Sequence, residues 1–186
     1  MTETMIANAI AQARAAFEKA PDRIPLLCIV GPTASGKSCL AVELAQQMGG
    51  EVVSCDSMQV YRRMDIGTAK PTREEMGGIP HHMIDIVNPE VPYSCAEYVT
   101  AAREVISDIH ARAKLPVLCG GTGLYYTSFV DSVGFSPAAS DEAVRKKYKE
   151  IAEGENGNER LIKMLSSVDP QTAVKLHPND TGRIIR

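Results

Sequence analysis

LLCIVGPTASGKS, residues 26–38, is the stretch that decides the fold. It opens with an apolar run, Leu26 to Val30, that stops at a Gly-Pro pair. A short apolar run bounded by turn residues predicts a strand buried on both faces of a parallel sheet. The remaining residues match the Walker A pattern, which needs a strand before it and a helix after it. The helical pattern from about Lys37 to Met48 meets the second requirement.

The Walker A loop predicts a polyphosphate site. Its glycines let backbone N–H groups turn toward an anion, and the N-terminus of the following helix attracts negative charge. Lys37 adds a point charge, and the Ser38 hydroxyl is a ligand for Mg²⁺. The loop alone does not distinguish ATP, GTP and a prenyl diphosphate. The residues assigned to phosphate binding are Gly31, Pro32, Thr33, Ala34, Ser35, Gly36, Lys37 and Ser38.

Strand and helix patterns alternate along the following residues. Short apolar runs predict strands at 51–54, 83–87 and 116–119, and Ser94-Cys95-Ala96-Glu97 has capping-box spacing ahead of a helix that reaches about Ala113. This alternation predicts an α/β fold with a P-loop NTPase-like parallel sheet flanked by helices.

Changes in composition predict the domain organisation. An alanine-rich amphipathic helix precedes the first strand, and residues 140–176 carry Lys/Glu-rich helical patterns with Asp169-Pro170 as N-cap and N1 of a helix. The predicted parts are an N-terminal helix extension at 1–23, a P-loop catalytic core at 24–135, a small helical insertion at 136–178 and the start of a return to the core at 179–186.

Bulk composition excludes several classes of protein. A chain of 186 residues with 44% hydrophobic content supports one main domain. Its 20 basic and 23 acidic residues give a net charge of −3, so any contact with RNA has to be local. Five cysteines without metal or disulfide spacing, and the absence of a secretion signal or long apolar span, favour a cytoplasmic protein.

Two further loops are expected at the carboxyl edge of the sheet. Asp56 follows the strand at 51–54, and a glycine-rich loop at 120–123 follows the strand at 116–119. Because the carboxyl ends of parallel strands open into one crevice, both loops should meet the Walker A loop. Asp56 is there either a loop-bonding residue or a base.

Further motifs in this order resemble the tRNA dimethylallyltransferase family. They are DSMQVY at 56–61, DIGTAKP at 65–71, HHMID at 81–85, GGTGLY at 120–125 and HPND at 177–180, and the resemblance covers nearly all residues from Leu26 onward.

This resemblance implies transfer of a dimethylallyl group from dimethylallyl diphosphate to the exocyclic N6 amine of the adenine 3′ of the anticodon, with Mg²⁺ as cofactor. By similarity, Asp56 is the base, Lys37 stabilises the leaving diphosphate, and Thr122 bonds the diphosphate or the adenine. The expected partners are the tRNA anticodon arm and the prenyl diphosphate, and the protein is expected to be a monomer. The residues assigned to tRNA are Asp56, Ser57, Met58, Gln59, Thr122, Gly182, Arg183 and Arg186.

Several alternatives remain open at this point. A P-loop small-molecule kinase shares the cradle and the magnesium. An adenylate isopentenyltransferase uses a free adenine nucleotide as acceptor, and a nucleotide-gated binding module performs no chemistry. Gln59 is alternatively a structural amide, and Arg183 and Arg186 a solvated face. Because neighbouring strand residues point to opposite faces, His81 and His82 are not expected to share a metal ion.

Members of the resembled family are usually longer than this chain. We therefore expect these 186 residues to bind an anion at residues 34–38 without prenylating tRNA, since the cradle is local whereas RNA positioning needs a large surface.

Overall fold

The computed structural model describes residues 3–19, 23–131 and 142–185. These form two compact units, the first within residues 1–134 and the second within residues 135–186. No helix among the described residues has the length and apolar character needed to cross a membrane.

The first unit is built on a four-stranded parallel sheet. Its strands are β1 (Leu27–Val30), β2 (Gly50–Ser54), β3 (His81–His82) and β4 (Leu115–Gly120), in the spatial order β1-β4-β2-β3. Every pairing is parallel, and the register places Leu27 beside Val117 and Val52 also beside Val117. The predicted α/β class with a P-loop NTPase-like sheet is confirmed.

Helices cover both faces of this sheet. They are α1 (Glu3–Glu18), α2 (Lys37–Met48), α3 (Cys95–Ala111) and α4 (Gly123–Val130). Successive strand residues point to opposite faces, so Val53 joins a core with α3 and α4 whereas Val52 joins a core with α2. The predicted capping box starts α3, because Ser94 Oγ accepts from Glu97 N–H at 3.2 Å and Glu97 Oε2 accepts from Ser94 N–H at 2.7 Å.

Two strand predictions were wrong in detail. The third strand is His81–His82 instead of 83–87, because Met83 (φ 63°) and Asp85 (φ 56°) are left-handed and interrupt extended backbone. Val87 makes only an isolated bridge to Tyr61. The first strand is not buried on both faces, since β1 lies at an edge of the described sheet and Val30 is 47% exposed.

The second unit is helical in its described residues. It contains α5 (Glu142–Glu153), α6 (Gly157–Val168), α7 (Pro170–Ala173) and α8 (Thr181–Ile185). Asp169 caps α7 as predicted, its side chain accepting from Thr172 N–H at 3.0 Å, with Pro170 as the first helical residue. Within this unit α8 packs against α5 and α6. The four predicted parts of the chain, including a return to the core at 179–186, stay predictions.

Candidate functional site

Three loops lie together at the carboxyl edge of the sheet. The chain leaves β2 at Cys55, whose N–H bonds the Cys119 carbonyl at 2.7 Å and whose carbonyl accepts from Thr122 N–H at 3.2 Å. Gly120 has no room for a side chain, because an added Cβ would lie 2.0 Å from the Cys55 carbonyl oxygen. At Gly121 an added Cβ would lie 3.3 Å from the Gly31 carbonyl oxygen and 3.8 Å from Lys37 Nζ. The loops after β1, β2 and β4 therefore share one site.

The Walker A loop curls through left-handed backbone before α2 begins. Ala34 (φ 63°) and Gly36 (φ 78°) supply this curvature, and Gly36 is the N-cap of α2. Glycine has no side chain with which to cap the helix, so its first N–H groups are offered to a ligand. Lys37 Nζ donates to the Pro32 carbonyl at 3.0 Å, which folds the lysine back over the loop. This arrangement is a cradle for an anion.

A cavity of about 610 Å³ opens from the cradle. Residues 33–38 line one part of it, and Asp56, Gln59 and Gly120 line it from the neighbouring strand ends. Of the eight residues assigned to phosphate binding, residues 33–38 line the cavity, whereas Gly31 and Pro32 do not.

Asp56 has two differently placed carboxylate oxygens. Oδ1 accepts from Met58 N–H at 2.9 Å and from Gln59 N–H at 3.3 Å, which is the loop-bonding role. Oδ2 accepts no hydrogen bond from another described residue, and Asp56 lines the cavity. One oxygen thus orients the carboxylate while the other keeps its capacity to accept a proton.

Both polar atoms of the Gln59 side-chain amide are hydrogen-bonded. Its Oε1 accepts from Ser54 Oγ at 3.0 Å, and its Nε2 donates to the carbonyls of Thr68 at 3.3 Å and Ala69 at 3.1 Å. Gln59, Thr68 and Ala69 all line the cavity. The amide therefore joins two segments of the chain and is also part of the cavity wall, and its assignment to tRNA stays a prediction.

Thr122 ties two of the loops together. Its Oγ1 accepts from Ser57 N–H at 2.9 Å and donates to Ser57 Oγ at 3.3 Å. Thr122, Ser57 and Met58 do not line the cavity, although Met58 is 45% exposed beside it in sequence. In this state the Thr122 hydroxyl orients the loop that begins at Asp56.

The remaining predicted site residues belong to the second unit. Gly182 and Arg183 lie in α8, where Arg183 is exposed and its Nη1 is 3.4 Å from Asp180 Oδ2. Arg186 lies outside the described residues. Their assignment to tRNA stays a prediction.

Residues that the sequence analysis did not assign to the site also border the cavity. Val42, Ala69 and Pro71 add apolar surface, and His81 adds an imidazole. His81 Nδ1 is 2.9 Å from the Ile79 carbonyl oxygen, which only accepts, so Nδ1 carries the hydrogen. Burial lowers the pKa of His81 and favours its neutral form. No local sequence pattern indicated that His81 would line the cavity, because its position depends on the pairing of a two-residue strand with β2.

A buried lysine was also missed. Lys70 is 6% exposed at its side chain, and its Nζ bonds Asp65 Oδ1 and Asp85 Oδ1, each at 2.6 Å. Burial alone lowers the pKa of Lys70, but the two carboxylates outweigh burial and the net pKa is raised. Lys70 belongs to the DIGTAKP motif, which supported the family resemblance but did not indicate a role for the lysine itself.

The opposite end of the sheet carries a different charged cluster. Glu51 is 5% exposed, accepts both a 2.5 Å and a 2.9 Å bond from the Arg112 guanidinium, and lies 2.7 Å from His82 Nε2. The bonds from Arg112 outweigh burial and lower the pKa of Glu51 to about 2. His82 is thereby paired with Glu51 on one face of the sheet, whereas His81, which points to the opposite face, lines the cavity.

The sheet order, the Walker A loop after the first strand and the helix that follows define a P-loop NTPase-like protein. Comparison with known proteins narrows this class. The profile of the IPP transferase family matches residues 59–186, and that of the isopentenyl transferase family matches residues 24–91. The chain belongs to the IPP transferase family.

Individual relatives agree with this membership. A tRNA dimethylallyltransferase of Thermoanaerobacter sp. (strain X514) is 53% identical over 163 residues, which cover 88% of this chain and 51% of the relative. A solved full-length tRNA isopentenylpyrophosphate transferase from Bacillus halodurans is 45% identical with a TM-score of 0.61. The match covers 88% of this chain and 54% of the Bacillus halodurans chain. A solved eukaryotic dimethylallyltransferase acting on tRNA is 34% identical with a TM-score of 0.68, and the match covers 87% of this chain and 40% of that chain.

The chain spans about half the length of the curated relatives it matches. The resemblance found in the sequence motifs is confirmed. What the relatives act on is a property of those longer proteins.

Proposed function

We propose that this chain supplies the diphosphate site and the catalytic base of an enzyme that transfers a dimethylallyl group from dimethylallyl diphosphate to the N6 amine of the adenine 3′ of the anticodon in tRNA. One observation carries the proposal. In a member of the IPP transferase family, an anion cradle and a carboxylate with an unbonded oxygen line the same cavity of about 610 Å³.

The cradle suits the diphosphate. Residues 34–38, which carry the first N–H groups of α2 and the Lys37 ammonium, all line the cavity. Such donors stabilise the negative charge that grows on the diphosphate as the allylic C–O bond breaks. Lys37 needs only to leave the Pro32 carbonyl to reach it. Val42, Ala69 and Pro71 provide apolar surface in the same cavity, which fits a dimethylallyl group better than a ribose.

Asp56 suits the role of base. The N6 amine is a poor nucleophile because its lone pair is delocalised into the adenine ring, so acceptance of its proton helps the attack. The N–H groups of Met58 and Gln59 fix one carboxylate oxygen, and the other takes the proton. The new N–C bond forms at the allylic carbon while the C–O bond breaks, and diphosphate leaves with the electron pair.

The residues present also fit Mg²⁺. Ser38 presents a hydroxyl at the start of α2 within the cavity, a hard oxygen ligand of the kind Mg²⁺ takes together with phosphate oxygens and water. Ser38 would hold the ion, and bound Mg²⁺ neutralises charge on the leaving diphosphate. The chain's own contribution is to keep that hydroxyl next to the cradle.

The acceptor adenine has to leave its base stack to reach the cavity. Ser57, Met58 and Gln59 form the loop that follows the base, and Thr122 orients this loop through Ser57. Gly182, Arg183 and Arg186 remain proposed contacts of the anticodon arm, where arginines neutralise phosphates. We propose that the reaction takes place in the cytoplasm and that the protein acts as a monomer.

The test uses the natural protein that contains this sequence. Radiolabelled dimethylallyl diphosphate and Mg²⁺ are supplied with an unmodified anticodon stem-loop, with the same stem-loop carrying guanine at the acceptor position, or with AMP. We expect label on the adenine stem-loop only. Label on AMP would identify an adenylate isopentenyltransferase, and phosphate transfer from ATP without prenylation would identify a kinase. Binding of diphosphate without any turnover would identify the protein as a binding module without enzymatic activity.

A further inference from the structure

Lys70 joins the stretch at residues 61–65 to Asp85 through one ammonium group on a side chain that is 6% exposed. Its Nζ bonds the Tyr61 carbonyl at 2.9 Å and one oxygen each of Asp65 and Asp85 at 2.6 Å. An ammonium has three donors, and all three are used. Because a buried charge is costly unless it is paired and hydrogen-bonded, Tyr61, Asp65 and Asp85 are held in one arrangement.

The loop between Asp65 and Lys70 is closed on itself by further bonds. Thr68 Oγ1 donates to the Met64 carbonyl, and Lys70 N–H donates to the Asp65 carbonyl at 3.3 Å. Ala69 has φ 47°, a left-handed conformation that is unfavourable for a residue with a Cβ. The bonds of Lys70, its neighbour, stabilise that conformation.

This loop in turn holds Gln59. The carbonyls of Thr68 and Ala69 accept both bonds of the Gln59 amide nitrogen, at 3.3 and 3.1 Å. Asp85 N–H bonds the Gln59 carbonyl at 3.1 Å, so a second arm of the lysine also reaches this residue. Gln59 N–H is one of the two donors that orient the Asp56 carboxylate. A continuous set of contacts therefore runs from Lys70 to the carboxylate.

Lys70 itself does not line the cavity, whereas Thr68, Ala69, Gln59 and Asp56 do. We propose that Lys70 is a positioning residue for the acceptor half of the site: it fixes the loop at 65–70, which fixes the Gln59 amide and the direction of Asp56. The proposal rests on the proposed function. It deepens that function by dividing the cavity into an acceptor wall that depends on Lys70 and a phosphate cradle that does not.

The division predicts which kinetic quantity changes. The cradle is formed by β1, its loop and α2, and Lys37 bonds Pro32 within it. The hydrogen bonds of Lys70 among the described residues go to Tyr61, Asp65 and Asp85, none of which belongs to the cradle. Loss of the lysine should leave diphosphate binding intact and misplace the carboxylate, and a displacement of about 1 Å at a reacting group costs on the order of a hundredfold in rate.

The experiment compares Lys70→Met, which keeps the unbranched stem of the side chain and removes the ammonium group, with Lys70→Arg, which keeps the charge. Arg112→Met is the matched control, because it removes another cation from a buried carboxylate at the opposite end of the sheet. Thermal unfolding sets a temperature at which every variant is folded. In the natural protein containing this sequence, Lys70→Met should lower kcat at least tenfold with the affinity for inorganic pyrophosphate, which binds the cradle alone, unchanged. Lys70→Arg should recover part of the loss, and Arg112→Met should keep kcat.

A second readout is independent of catalysis. In the 186-residue chain, the side-chain amide protons of Gln59 should give two separated NMR signals with slow hydrogen exchange, because Thr68 and Ala69 accept them. In Lys70→Met these signals should merge toward those of a free glutamine while the amides of residues 34–38 keep their shifts. In Arg112→Met both sets should stay. Should the wild-type protein fail to prenylate, the proposed function is wrong, and the NMR result alone decides whether Lys70 positions Gln59. Unchanged Gln59 signals in Lys70→Met, or an equal loss of kcat in Arg112→Met, would overturn the proposal.

Discussion

The two ends of the parallel sheet both carry charged residues, but these residues differ in how completely they are hydrogen-bonded. At the amino end, Glu51 is bonded by Arg112 and His82 and is almost completely buried. At the carboxyl end, Asp56 has one bonded oxygen and one that no described residue bonds, and Lys37 is held by a single carbonyl. The first cluster has little bonding capacity left for a ligand, whereas the second keeps donors and an acceptor facing a cavity.

This difference separates stability from chemistry within one sheet. When cations pair with a buried carboxylate, they lower its pKa and stabilise the folded state at a pH where the carboxylate is charged. A carboxylate that is only half bonded contributes less to stability, but it retains an oxygen for a proton. Substitutions at the two ends should therefore affect different measurements.

The largest effect is expected at Glu51, in acid. Its folded pKa is lowered from 4.5 to about 2, so the unfolded state binds the proton first as pH falls. The stabilisation is complete well above pH 4.5 and is lost as the pH falls from 4.5 to about 2. Urea unfolding of the wild type and of Glu51→Gln across this range measures it. The free energy of unfolding of the wild type should fall more steeply with acid, and parallel curves would contradict the assignment.

Asp56→Asn should act on turnover instead of stability. The amide keeps the shape and one acceptor oxygen for the N–H groups of Met58 and Gln59, but it cannot take a proton. We expect kcat to fall by about a hundredfold, with diphosphate affinity and the unfolding temperature nearly unchanged. Single-turnover prenylation in the natural protein containing this sequence measures the rate. Normal turnover at saturation together with weak diphosphate binding would make Asp56 a binding residue.

Lys37→Ala should weaken binding of inorganic pyrophosphate by about tenfold, because a charge-assisted hydrogen bond is lost from the cradle. Calorimetric titration of the 186-residue chain measures the affinity. Lys114→Ala is the matched control, since it removes one exposed lysine next to the amino end of β4. Equal affinities in the two variants would mean that bulk charge, and not the cradle, attracts the anion.

The smallest effect is expected at Thr122. Thr122→Val removes the acceptor of Ser57 N–H and should cost about 1 kcal/mol of stability, whereas Thr122→Ser keeps it. Pyrophosphate affinity should change less in Thr122→Val than in Lys37→Ala, because the hydroxyl is bonded to Ser57 instead of facing the cavity. Thermal unfolding and calorimetry check the two parts. A loss of affinity as large as that of Lys37→Ala would show that Thr122 contacts the diphosphate.

Local sequence signals predicted much of this fold. The apolar run before the Walker A loop, the helix from Lys37 to Met48 and the capping box at Ser94 depend on near neighbours, and each was found where it was expected. The third strand was misplaced because left-handed backbone at Met83 and Asp85 does not follow from their residue types.

The candidate site was predictable only in part. Asp56 and the glycine-rich loop could be placed because they follow strands whose carboxyl ends share one edge. The bonds of Thr122 to Ser57 and of Lys70 to Asp85 join residues far apart in sequence, and no local pattern indicates them. Their discovery required the folded arrangement.

The claim that phosphate and base share one cavity is tested most directly by NMR titration of the ¹⁵N-labelled 186-residue chain. Inorganic pyrophosphate with Mg²⁺ should shift the amide signals of residues 33–38, and dimethylallyl diphosphate with Mg²⁺ should also shift those of residues 56–59, because Asp56 and Gln59 line the cavity that opens from the cradle. Both sets of shifts should weaken together in Lys37→Ala. Shifts that dimethylallyl diphosphate produces at the cradle alone, with none at residues 56–59, would contradict the shared cavity.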